Sequence, residues 1–172
     1  MEKSSANNKN NIKEITILGI LLAIAILVGY IEVLFPLPIA GMKLGLANAV
    51  VLIAMYKYSN VKALIISLLR VGVIGILFGN IYSLSFAYAG AISSYTIMVI
   101  LKKNKNISIT FVSVIGAIFH ILGQIIVAYA IIEHIVIFYY LPVLLIVGII
   151  TGYLVGVLTK KLISLDIWNV RV

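Results

Sequence analysis

"FPLPIAGMKLGLANAVVLIAMYKYSN", residues 35–60, decides how this chain is built. Pro36 and Pro38 cannot occupy a helix interior, so an apolar run ending near Phe35 is cut from a second one that starts near Ile39. The second run ends at Tyr56, the first residue of the polar "YKYSN". A segment so apolar and so bounded reads as one span of a bilayer, yet it carries Lys43, Gly45 and Asn48 near its head. Hydrocarbon rewards none of these three residues.

The rest of the chain repeats the pattern. Of 172 residues, 63% are hydrophobic and 10% charged, and the mean hydropathy is +1.22. A water-soluble domain of this length needs far more charge to cover its surface. Lipid is therefore the expected solvent, and an all-α membrane protein the expected class. A bilayer core is ~30 Å thick, so a crossing helix takes roughly 20 mostly apolar residues. Six segments are expected to cross: Ile15–Phe35, Ile39–Tyr56, Val61–Phe78, Ile81–Leu101, Ile107–Ile132 and Ile135–Thr159. Their connections are short, which predicts antiparallel neighbours in one compact six-helix bundle. Unbroken apolar runs argue against barrel strands, which alternate. Residues 1–14 form a polar N-terminal tail, 15–161 the transmembrane domain and 162–172 a C-terminal tail. The polar head is long for a cleavable signal peptide, so the first apolar segment is expected to stay in the membrane.

Charge placement predicts orientation. Lys3, Lys9 and Lys13 precede the first span, and Lys57 and Lys62 lie between the second and third. Lys102, Lys103 and Lys105 lie between the fourth and fifth, and Lys160, Lys161 and Arg171 follow the sixth. All but two of the 13 basic residues thus fall on one side, which the positive-inside rule makes cytoplasmic, with both termini inside. The net charge of +8 is spent on topology, and nucleic acid is not an expected partner.

The exceptions are Lys43, on the outer side, and Arg70, which falls ~14 Å into the third span at 1.5 Å per residue. An ionisable group at that depth costs a few kcal/mol and faces a cavity or a partner. For Arg70 two readings stand: a locking pair with Glu32 or with helix-end carbonyls, or a substrate or gating role. His120 and Gln124 are four apart and share a helical face with Gly116 and Gly123. They line a pocket or are satisfied core groups. Glu32 is a counter-charge for Lys43 or Arg70, or an interfacial carboxylate in water. Small residues on the fourth span (Ser83, Ala87, Gly90, Ala91, Ser94) point to helix packing, with Ser85 or Tyr88 facing a pocket as the second reading. Gly19, Ala23, Ala25 and Gly29 on the first span fit internal packing or docking of another membrane subunit.

Lys43, Asn48, Arg70, His120, Gln124 and Glu32 all map to the outer half of the bundle and are the candidate substrate-binding residues. The surplus of positive charge predicts a small anionic or amphipathic ligand entering from outside. Gly45 would let backbone approach it, Asn48 offers donor and acceptor, and Lys43 would join the positive end of a helix dipole.

Several chemistries are excluded. Cysteine is absent, which removes disulfides, thiolate catalysis and cysteine-ligated metals. No phosphate-binding G-x-x-x-x-G-K-[ST] loop and no G-x-S-x-G elbow occurs. Asp166 is the single aspartate, so the chain lacks the aspartate-rich clusters that hold Mg²⁺ against a prenyl diphosphate. No metal, cofactor or autonomous catalysis is expected.

At "PLPIAGMKLGLAN", "LLRVGVIGILFGN", "SLSFAYAG" and "GAIFHILGQ" the chain resembles a family of small bacterial membrane proteins. It is known both as heptaprenyl diphosphate synthase component I and as the Gx transporter family. The family pattern often has proline and glycine just before the lysine, where this chain has Ala40 and Gly41. The family is similar in turn to the S-components of energy-coupling-factor (ECF) transporters, six-helix subunits of the cytoplasmic membrane that bind a vitamin-like substrate from outside. The resemblance implies one of two functions. One is a substrate-binding subunit of an uptake transporter, partnered by an ECF coupling subunit and ATPases. The other is a non-catalytic membrane component that assists a separate soluble polyprenyl synthase.

Overall fold

The computed structural model describes residues 2–35 and 45–165, with side chains from residue 11 onward. Lys43, with the segment 36–44 around it, lies outside the described residues. The described chain is helical throughout, with no strand. Its elements are α1 (Glu2–Leu34), α2 (Ala47–Lys57), α3 (Asn60–Phe78), α4 (Ile81–Lys102), α5 (Ile109–Ile132), a 3-10 turn (Ile135–Tyr140) and α6 (Leu141–Ile163).

Five stretches are long and apolar enough to cross a membrane: Asn11–Leu34, Asn60–Phe78, Ile81–Lys102, Ile109–Ile132 and Ile135–Ile163. The expected second span departs from that number. Among the described residues it is an 11-residue helix starting at Ala47, not a helix from Ile39. At 1.5 Å per residue it rises only ~16 Å, about half the bilayer core. The sixth span also starts differently: residues 135–140 form a 3-10 turn, and Pro142 stands in the first turn of α6, where its missing N–H costs nothing. Residues 2–14, expected as a polar tail, continue α1.

The helix ends follow from local chemistry. Ser59 accepts from the backbone of Lys62 at 3.2 Å to open α3. Asn80 and Ser83 form a reciprocal capping box at the start of α4. Ser108 accepts from Phe111 at 3.2 Å to open α5. The Ser59 and Asn80 caps sit at breaks between the expected spans, whereas Ser108 lies just inside the expected fifth span; Ser and Asn compete for backbone N–H groups that a helix start leaves unpaired.

α2 is the centre of the bundle, in contact with α1, α3 and α6. It is apolar on every side, and every residue from Ala49 to Met55 is buried. The rest closes around it: α3 contacts α4, α4 contacts α5, and α5 contacts α6. The outside is apolar too, with Leu27, Ile31, Leu69, Ile76, Ile146 and Ile150 all exposed. An exposed apolar surface of that extent fits lipid, not water.

In lipid the hydrophobic effect does little to hold helices together, so close packing must. The α5–α6 contact shows how. Gly148, Gly152 and Gly156 repeat every four residues on α6 and lie against α5. A Cβ at Gly152 would come within 2.9 Å of the Val114 Cα, and one at Gly156 within 2.6 Å of the Thr110 Cα. The expected packing role of the small residues on α4 holds for Gly90, Ala91 and Ser94, which are buried, whereas Ser83 is exposed in the capping box. Gly116 meets Met98 and Ser94, and Gly123 meets Ser93 and the Ala89 carbonyl. On α1 the two small-residue pairs separate: Ala25 and Gly29 are buried, Gly29 facing Ile74, whereas Gly19 and Ala23 face outward.

Candidate functional site

The start of α2 brings together three of the candidate residues, Glu32, Asn48 and Arg70. Gly45 has φ +70°, a left-handed conformation that costs a residue with a Cβ roughly 1–2 kcal/mol. The turn it makes lets Asn48 N–H reach the Gly45 carbonyl at 2.8 Å, which begins α2. Gly45 thus has a backbone task of its own. Leu46 N–H donates to the Glu32 carboxylate at 2.6 Å, tying the end of α1 to the beginning of α2. A carboxylate there also meets the positive end of the α2 dipole.

Arg70 on α3 is buried, with 9% of its surface exposed, and its Nη2 donates to Asn48 Oδ1 at 3.1 Å. The depths agree. Arg70 lies ten residues from Asn60 and Asn48 nine from Lys57, so both stand ~14–15 Å from the lysine-bearing end, near the middle of a ~30 Å core. A guanidinium keeps its charge there and presents five N–H donors, of which Asn48 takes one. Glu32 is the carboxylate whose charge acts on Arg70. Glu32, Asn48 and Arg70 therefore form one group around the α2 N-terminus.

His120 and Gln124 stand elsewhere. They lie on α5 against Gly90 of α4, where an added Cβ would come within 2.8 Å of Gln124 Cγ and 2.9 Å of His120 Nε2. Both are half-buried at a helix crossing. The expected grouping of six residues thus resolves into an α1–α2–α3 group, an α4–α5 pair, and Lys43, which is outside the described residues. α4 lies between the two groups. Its Tyr88 hydroxyl falls 2.6 Å from where a Cβ on Gly72 would stand, two residues from Arg70.

Sequence reading missed the structural work of one lysine. Lys102 was assigned to topology alone, yet its Nζ donates to the Met55 carbonyl in the last turn of α2 and to Asn60 Oδ1 at 3.0 Å. Asn60 also accepts, through its carbonyl, from the Tyr95 hydroxyl at 2.9 Å. Lys62 pairs with Glu14 nearby. At the opposite end Glu133 takes φ 53° to close α5, and His134 Nδ1 accepts from Val136 N–H at 3.3 Å. Among the described residues no cluster of three or more His, Asp or Glu could hold a metal.

A groove of about 330 Å³ lies between α4 and α5, lined by Ile92, Ser93, Thr96, Ile97, Ile100 and Phe119. It includes none of the candidate binding residues.

The comparisons bear on the two functions left open. A family model described as heptaprenyl diphosphate synthase component I matches residues 21–162, which covers α2 to α5 wholly, all but the last residue of α6, and the second part of α1 from residue 21 on. No curated protein and no solved structure matches the chain.

Proposed function

Because the chain belongs to the heptaprenyl diphosphate synthase component I family, we propose that it is the membrane-embedded, non-catalytic component working beside a soluble polyprenyl synthase. The family match carries this reading. It agrees with the chain not being an enzyme by itself, since a component serves a synthase made of more than one part. The chemistry agrees as well: prenyl elongation needs Mg²⁺ held by clustered carboxylates, and a chain with five acidic residues, one of them aspartate, has no such cluster to offer. Five apolar spans suit a multi-pass bilayer protein. In this reading it sits in the bacterial plasma membrane with the lysine-rich end and both termini in the cytoplasm, where a soluble synthase would meet it.

The test is elongation of farnesyl diphosphate by isopentenyl diphosphate with Mg²⁺. The chain alone in detergent should give no product. Adding it to the soluble synthase should raise the yield or lengthen the product. A synthase indifferent to the chain would remove this reading.

A second reading is favoured by one observation, the buried Arg70 bonded to Asn48. An ionised side chain at mid-membrane is costly even beside a carboxylate, and such residues commonly mark substrate paths. In this reading the chain is the S-component-like binding subunit of an uptake transporter, with an ECF coupling subunit and ATPases as partners. Arg70, Asn48 and Glu32, with Lys43, would receive a small anionic or amphipathic solute from outside. His120 and Gln124 would line the approach from α5. Uptake of a solute that is lost in Arg70→Ala, with the protein still inserted, would favour it over the first.

A further inference from the structure

Resting on the first of these readings, we infer that the groove between α4 and α5 is a binding site for a prenyl diphosphate. Its hydrocarbon chain lies along α4 and its diphosphate rests on Lys103 and Lys105. The groove faces outward from the bundle: Ile92 is 50%, Ile100 54% and Phe119 38% exposed. A chain can therefore enter it sideways from lipid. Its wall is effectively apolar, because the Thr96 hydroxyl is turned back to the Ile92 carbonyl at 2.8 Å and Ser93 Oγ lies at the Gly123 contact. On α4 the lining residues Ile92, Thr96 and Ile100 repeat every four residues, and Lys103 continues that stripe three residues on.

The groove thus runs toward a cationic end. Lys103 and Lys105 are exposed, and neither forms an ion pair among the described residues. Lys102 beside them is committed to Met55 and Asn60. Apolar cleft and paired lysines together complement a molecule with one long hydrocarbon chain and a compact polyanion at its end. A phospholipid matches less well at the charged end, since it brings a single phosphodiester to two lysines that form no ion pair among the described residues.

The probe is farnesyl diphosphate carrying a benzophenone at its tail, with the full chain in phosphatidylcholine nanodiscs. Photolabel should map to α4 between residues 92 and 100 and to α5 near Phe119. Thr96→Trp, which fills the groove, should cut labelling by about fivefold or more. Lys103→Gln with Lys105→Gln should raise the half-saturating concentration by about tenfold or more, since each lysine near a membrane surface is worth ~1 kcal/mol toward an anion. Unlabelled farnesyl diphosphate should compete, and farnesol and phosphatidylglycerol should compete poorly. Labelling that phosphatidylglycerol suppresses equally, or that maps to α1–α3, would overturn the site. The lysine variants lie in an exposed connection, so they and the competition decide the matter even where Thr96→Trp aggregates. Loss of this site with synthase stimulation intact would strike the groove alone, whereas loss of stimulation with labelling intact would strike the function.

Discussion

Arg70 donates to Asn48 at 3.1 Å from halfway along α3, at the level where α2 begins. One bond joins a full-length span to a half-length one, and its charged partner is buried. A hydrogen bond to a charged group is worth about 1.5–3 kcal/mol, and stranding the charge costs at least as much. Arg70→Ala and Asn48→Ala should each lower the melting temperature in detergent. The double variant should lose less than the sum of the two, and strict additivity would mean that the bond contributes nothing.

Gly45→Ala should destabilise by about 1–2 kcal/mol, because alanine pays for the left-handed turn before α2. Gly45→Asn should cost less, asparagine tolerating that region. Thermal unfolding followed by circular dichroism reads both. Equal losses would point to a steric role for the glycine instead.

The glycine ladder predicts a contrast between two faces. Gly152→Val inserts carbon into a backbone contact between α6 and α5 and should cost at least about 1–3 kcal/mol. Gly19→Val, where a Cβ meets nothing within 4 Å, should leave the melting temperature nearly unchanged.

Orientation is tested by single cysteines in this cysteine-free chain. Cysteines at Asn80 and His134 should react with an impermeant maleimide on intact cells. Those at Asn60, Asn104 and Lys161 should react only after lysis. Labelling of Asn104 from outside would reverse the orientation and take the Lys103–Lys105 end away from the cytoplasm.

Much of this was legible in the residues. Long apolar runs, the breaks that hold Ser59 and Asn80 and the distribution of lysines are local signals, and they place α3, α4 and α5 within two residues of where the structure has them. The length of α2 was not legible, because an apolar run reads the same whether helix begins at Ile39 or at Ala47. Only the Gly45 turn decides the start, and a glycine does not declare the sign of its φ. The candidate site divided for a similar reason. Depth along a helix can be counted from sequence, but which helices are neighbours cannot, so Arg70 and His120, both expected in the outer half, stand on helices that each pack against α4. The α6 ladder at Gly148, Gly152 and Gly156 was a missed signal of a kind already recognised on α4 and α5.

The partnership with a soluble synthase is most directly tested by flotation. The synthase would be mixed with vesicles holding this chain, or with empty vesicles of the same lipid, and spun through a density gradient. The proposed function predicts that the synthase rises with the loaded vesicles and stays at the bottom with the empty ones. A synthase that stays at the bottom in both would contradict it.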